Sequence, residues 1–156
     1  MRKDMMKAAK IKAGNYCAYQ ERTQQEVRDK LYSLGLYKDE VEEILTELII
    51  EKFVDEERYA KAFASGKFRL KQWGRTKISY ALKQKKMSSY CIDKALKEIP
   101  EDEYEDQLIL LIDRKFHQLS GDEYIVKNKI ARYLAGKGYE QDLIWTVLND
   151  YLQRRR

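Results

Sequence analysis

The sequence predicts an all-α protein, folded as an elongated, curved array of three tandem three-helix repeats. Helix-forming residues dominate the chain, and no alternating strand pattern appears. One set of six apolar positions also recurs twice, after 51 residues and again after 52 residues. A unit of this size buries little core alone, so neighbouring units must stack. The three sets are Val27, Leu31, Leu36, Val41, Ile44 and Leu45; Ile78, Leu82, Met87, Ile92, Ala95 and Leu96; and Ile130, Leu134, Tyr139, Ile144, Val147 and Leu148.

Breaks in this pattern give the boundaries of the repeats. Pro100 ends one helix, and the acidic residues from Glu101 to Glu103 favour the start of the next. Asp55 opens the middle repeat in the same way. Each repeat is expected to hold a long helix followed by two shorter ones, and the first long helix should span about 4–20. The predicted repeats are residues 1–53, 54–100 and 101–156.

The first repeat carries clear helix signals. Thr23 and Glu26 form a T-x-x-E capping box, which marks the start of the second helix, and Gly35 should end that helix. Asp39 and Glu42 resemble a second start of this kind. Helical spacing predicts that the third helix buries Val41, Ile44, Leu45 and Leu48.

The middle repeat should begin with a helix capped by Asp55, because Glu56 and Glu57 then lie in the first turn, where the helix dipole favours acids. Gly74 is expected to end this helix. The predicted buried stripe of the helix is Tyr59, Phe63, Gly66, Leu70 and Trp73. The second helix should turn inward Ile78, Ala81 and Leu82.

The outward positions of the middle repeat are cationic, and no acidic residue follows Glu57 until Asp93. The formal net charge is +5, and solvated surfaces usually mix both signs. A face of one sign repels itself and attracts polyanions, so it predicts a functional surface. A separate basic tail spans 154–156. The candidate contact residues are Lys67, Arg69, Lys71, Arg75, Lys77, Lys83, Lys85 and Lys86.

Lys86 departs from the repeat pattern. The equivalent residues are Gly35 and Gly138, which should adopt a left-handed conformation after the second helix of their repeats. A non-glycine residue in that conformation costs on the order of 1 kcal/mol. Either the cationic surface needs the lysine, or the middle turn is right-handed and tolerates it.

Catalytic chemistry has no sequence support. His117 is the single histidine, and no phosphate-binding loop, nucleophile motif or metal-ligand spacing occurs. The prediction is therefore a protein that is no enzyme and uses no cofactor or metal. Cys17 and Cys91 lack motif spacing, and no apolar run would cross a membrane or serve as a signal peptide. These features predict a cytoplasmic protein with reduced thiols.

Sequence-specific DNA reading is disfavoured by the acidic third helices. A recognition helix enters the major groove and is repelled if it carries many carboxylates. The acids concerned are Asp39, Glu40, Glu42, Glu43, Glu47 and Glu51 in the first repeat, and Glu140, Asp142 and Asp150 in the third. In the middle repeat, Tyr80 and Tyr90 are candidates for partner contact, because tyrosine suits interfaces.

Several motifs resemble those of the RecX family, which are bacterial regulators of the RecA recombinase. The stretch from Asp55 to Phe63 reads DEERYAKAF, and WGRTKI from Trp73 to Ile78 is followed by Leu82. The stretch LAGKGY, residues 134–139, is similar to the closing repeat of the family.

The resemblance implies a non-enzymatic modulator, mainly an inhibitor, that binds the RecA filament in recombination, DNA repair and the SOS response. Members of the family lie in the groove of the RecA–DNA filament and block its growth or promote its disassembly. A monomer that binds single- or double-stranded DNA weakly is expected. Two alternatives stay open: a sequence-independent nucleic-acid-binding protein, and a helical scaffold for another protein.

Overall fold

The computed structural model describes residues 1–156 and contains nine α-helices and no strand. The predicted all-α class and the arrangement of three three-helix repeats are confirmed. The nine helices include none with the length and hydropathy needed to cross a bilayer. The helices are α1 (Arg2–Tyr19), α2 (Gln24–Ser33), α3 (Lys38–Ile50), α4 (Glu56–Lys71), α5 (Arg75–Gln84), α6 (Ser89–Lys97), α7 (Glu101–Gln118), α8 (Glu123–Gly136) and α9 (Gln141–Arg154).

The recurring apolar positions form the cores of the repeats. Every residue of the three predicted sets is buried except Leu96, which is partly buried. Val27, Ile78 and Ile130 hold the first place in each set, and all three are fully buried. The chain divides into two compact units, residues 1–62 and 63–156, and the division falls within α4.

The first unit packs α1 against α2 and α3. Ala9, Ala13 and Cys17 line the inner face of α1, and all four predicted residues of α3 are buried. The Thr23–Glu26 capping box is confirmed, because each side chain accepts a 3.0 Å hydrogen bond from the other residue's backbone N–H. Burial of Cys17 raises the pKa of its thiol, which keeps it protonated.

The predicted start of α3 is wrong. The helix begins at Lys38, so Asp39 lies within its first turn and does not cap it. Tyr37 occupies the capping position and donates its backbone N–H to the Glu40 side chain at 2.8 Å. Glu40 thus supplies the acid side of the cap, three residues beyond Tyr37.

The buried stripe of α4 also differs from the prediction. Ala60, Ala64 and Phe68 face inward at intervals of four residues, whereas Leu70 is 83% exposed. The buried side of α4 thus consists of two small residues and one aromatic ring, and it lies on a different side from the predicted stripe. Asp55 caps α4 as predicted, accepting the Arg58 N–H at 3.0 Å.

Gly74 has a different role from the predicted helix stop. The helix α4 ends at Lys71, and Gln72 follows it in a left-handed conformation at φ 60°. Gly74 caps α5 and donates its N–H to the Lys137 carbonyl at 2.8 Å. A Cβ at residue 74 would lie 2.4 Å from the carbonyl of Gly138, so only glycine permits this approach.

The turn after α5 is left-handed, which decides between the two conformations that the sequence left open for Lys86. Lys86 has φ 62°, beside 91° for Gly35 and 96° for Gly138. The residue after this position makes an equivalent backbone hydrogen bond in the second and third repeats. Met87 donates its N–H to the Leu82 carbonyl, and Tyr139 donates its N–H to the Leu134 carbonyl, both at 3.1 Å. Lys86 therefore bears the conformational cost that glycine avoids in the other two repeats.

The Lys86→Gly variant should be more stable than the parent by about 0.5–1 kcal/mol, because glycine removes the left-handed strain. Urea unfolding monitored by circular dichroism measures the difference. Gly121→Ala is the matched control, since Gly121 has φ 114° with no atom within 4 Å of an added Cβ. It should lose about 1 kcal/mol through backbone conformation alone. A destabilised Lys86→Gly protein would contradict the strain argument.

Candidate polyanion-binding face

Six lysines of α4, α5 and the following turn form a surface that is called here the lysine face. Five of them are exposed and Lys67 is partly buried. None has a carboxylate within 4.0 Å of its ammonium group, and their charges are uncompensated inside the protein. The lysine face consists of Lys67, Lys71, Lys77, Lys83, Lys85 and Lys86.

Two aromatic rings support three of these lysines. Phe63 and Trp73 pack edge to face with ring centroids 6.4 Å apart. The Lys67 ammonium lies 4.9 Å from the Trp73 centroid and 5.4 Å from that of Phe63. Lys77 lies 4.7 Å from Trp73, and Lys85 lies 5.7 Å from Phe63. These cation–π contacts hold the charges in defined places on the surface.

The role of Phe63 and Trp73 was missed by the sequence analysis, which assigned both to the core. Both rings are only partly buried. A signal for the observed role exists, because Lys67 follows Phe63 by four residues and Lys77 follows Trp73 by four. Residues at this spacing meet on one side of a helix.

Arg75 is placed inside the fold, away from the lysine face. Its side chain is 20% exposed and forms ion pairs with Glu101 and, at 2.8 Å, with Glu140. Its guanidinium lies 3.8 Å from the centroid of the Tyr104 ring, and its backbone N–H donates to the Tyr104 hydroxyl at 2.9 Å. Arg75 therefore joins the second repeat to the third.

Tyr104 completes the contact between the second and third repeats. The side chain is fully buried, and its hydroxyl donates to the Glu140 carboxylate. Burial, followed by the hydrogen bond to Glu140, raises the pKa of this phenol far above its ordinary value. The hydroxyl thus stays protonated and acts as a hydrogen-bond donor at every physiological pH.

Arg69 is also compensated, although more loosely. Its Nη2 lies 3.3 Å from a Glu103 oxygen on α7, and both side chains are about half exposed. Of the eight candidate contact residues, the two arginines thus have acidic partners in the protein and the six lysines have none.

The basic tail is held by its own unit. Arg154 pairs with Asp150 at 3.0 Å, and Arg156 pairs with Glu123. The Arg155 guanidinium lies 4.8 Å from the centroid of Phe116. The three arginines are exposed, and each has a contact within the second compact unit.

The acids of α3 are mostly compensated within the first unit. Lys10 reaches both Glu47 and Glu51 at 3.0 Å, and Arg28 reaches Glu42 at 2.9 Å. Arg2 pairs with Glu40. Asp39 and Glu43 are the two acids of α3 without a cationic partner, and both are exposed. Tyr80 and Tyr90 are 64% and 62% exposed, as expected of contact candidates.

These features define a helical-repeat protein whose second repeat carries a face of lysines without acidic partners. Family models match all three repeats: the first three-helix domain of RecX at residues 9–48, the second at 55–96 and the third at 101–148. The chain belongs to the RecX family, which is a family of regulatory proteins rather than of enzymes.

Relatives and solved structures agree with this membership. The chain is 33% identical over 134 residues to the regulatory protein RecX of Clostridium tetani, covering 84% of this chain and 61% of that one. It is 26% identical to the RecX of Bacillus mycoides, covering 91% and 53%. The crystal structure of RecX from Lactobacillus salivarius has a TM-score of 0.86 at 26% identity and covers 95% of this chain and 97% of that one. The chain thus spans about three fifths of the length of the Clostridium tetani relative.

Arg75→Met should lower the free energy of unfolding by about 2–3 kcal/mol, because it leaves Glu140 partly buried without its counter-ion. Arg69→Met removes an equal charge from a solvated pair and should cost about 1 kcal/mol or less. Urea unfolding of the two variants measures both values. Equal losses would refute the distinction between a structural and a surface arginine.

Proposed function

We propose that this protein binds RecA nucleoprotein filaments and inhibits the recombinase in recombination and DNA repair. The observation that carries the proposal is the lysine face: six lysines without acidic partners, in a stretch of the chain that holds no acidic residue between Glu57 and Asp93. Membership of a regulatory family supports the recombinase as the target. The lysines would contact the polyanionic part of the filament.

Lysine chemistry suits such a contact. An ammonium group is a compact charge without the planar fork by which arginine reads bases and binds carboxylates. Lysines spread over two helices and a turn can therefore follow a phosphate backbone without reading its sequence. The uncompensated charges repel one another in the free protein, and a polyanionic partner relieves that repulsion.

A second function, sequence-independent nucleic-acid binding without a recombinase, is favoured by the same face. The two functions differ in what is bound tightly. For a RecA regulator, bare DNA is a weak ligand and the filament a strong one. For a general nucleic-acid-binding protein, filament and bare DNA bind alike.

Replacing Lys71, Lys77 and Lys83 together by glutamine should raise the concentration needed for half-inhibition of RecA ATP hydrolysis at least about tenfold, which is about 1.4 kcal/mol of binding energy. Arg69 and Arg75 are left intact so that the fold is preserved. The matched control replaces Lys3, Lys7 and Lys12, three exposed lysines of α1, and should inhibit like the parent. If the first variant inhibits RecA as well as the parent does, the lysine face does not contact the filament.

Binding to bare DNA should be weak, indifferent to sequence and dependent on salt. About five phosphate contacts give a log–log slope of affinity against salt of roughly −3.5 to −4.5. Fluorescence anisotropy with labelled oligonucleotides of unrelated sequence, at several salt concentrations, measures the slope. Tight, salt-resistant and sequence-selective binding would overturn the proposal in favour of a transcription factor.

A further inference from the structure

A groove between α7 and α9 is the strongest feature that the lysine face leaves unexplained. Its volume is about 370 Å³, and it is lined by both apolar and acidic side chains. Ile109 contributes an apolar surface that is 41% exposed, and Val147 lies beside it. Asp102, Glu105, Asp106 and Asp150 form its acidic lining.

The acids on the α7 side of this groove have not been used by the fold. Neither Glu105 nor Asp106 has a cation within 4.0 Å, and both are exposed. Asp102 accepts only the backbone N–H of Glu103. In the first unit, by contrast, cationic partners are present for Glu40, Glu42 and Glu47 of α3 and for Glu51 at its C-terminal end, and are absent only for Asp39 and Glu43 of that helix.

Two polar contacts involve the helices that line the groove. At Asp113 the two helices are joined by a 2.6 Å hydrogen bond from the Tyr151 hydroxyl. Within α9, Arg154 pairs with Asp150 at 3.0 Å, so the one cation of the lining has an acidic partner. A ligand in the groove therefore meets the exposed side chain of Ile109 beside the unpaired carboxylates of α7.

We propose that this groove binds a basic amphipathic helix on the protein subunits of the recombinase filament. The inference rests on the proposed function and names the partner of a second face. Apolar residues of such a helix cover Ile109, and its cations pair with Glu105 and Asp106, which is the helix-in-groove mode of recognition. DNA is repelled by the same carboxylates, so the groove and the lysine face take chemically different parts of one target.

The test compares two variants that each remove two negative charges. Glu105→Gln/Asp106→Asn changes the groove, and Asp39→Asn/Glu43→Gln changes two acids of α3 without ion pairs. Affinity for RecA is measured without nucleic acid, so that the lysine face has no DNA to bind. The groove variant should bind about tenfold more weakly, and the α3 variant should bind within about twofold of the parent. Ile109→Asp, whose side chain is exposed in the parent, should also weaken binding without lowering the thermal midpoint.

Each outcome decides between defined alternatives. If the parent binds RecA and the groove variants bind equally well, the groove is not the contact, although the proposed function stands. If the parent binds neither RecA nor its filaments, the proposed function itself fails. If the groove variants instead alter the sedimentation of the protein alone, a second copy occupies the groove and the recombinase assignment is overturned.

Discussion

The ion pair between Arg75 and Glu140, seated on the ring of Tyr104, is the interaction on which the second compact unit depends. It brings the start of α5 against the turn between α8 and α9, where Gly74 donates to the Lys137 carbonyl and Thr76 donates to the Gly138 carbonyl at 2.9 Å. The helix α5 carries Lys77 and Lys83, so the positions of these lysines depend on the contact between Arg75 and Glu140. A structural arginine thus positions the helix that carries two residues of the lysine face.

The sequence was sufficient wherever large apolar residues mark the core. Periodicity predicted the inner faces of α3 and α5 and the equivalence of the three repeats, but it left the conformation of the turn at Lys86 open. It failed for α4, because a pattern weighted by side-chain size overlooks the buried alanines. It could not separate Arg75 from the lysines, since its partners Glu101 and Glu140 lie 26 and 65 residues further along the chain. Only the folded chain shows which charges find partners.

There is a physical reason why the arginines of this region have acidic partners and the lysines of the lysine face do not. A guanidinium offers five donors in a plane, which suits it to a site shared by Glu101, Glu140 and an aromatic face. A lysine ammonium is strongly hydrated and gains less from such a site, so it remains at the surface. In this protein the second repeat follows that rule: Arg69 and Arg75 have carboxylate partners, whereas the lysine face has none.

The rings beneath the lysine face have a thermodynamic consequence. A free lysine side chain samples many rotamers, and fixing it costs up to about 2 kcal/mol of conformational entropy. Contact with Phe63 and Trp73 already restricts Lys67, Lys77 and Lys85, so part of that entropy is lost during folding rather than on binding. Ammonium groups held in this way form a partly preorganised array. Under the proposed function, this array would meet a row of phosphates at a smaller entropic penalty than three freely moving lysines.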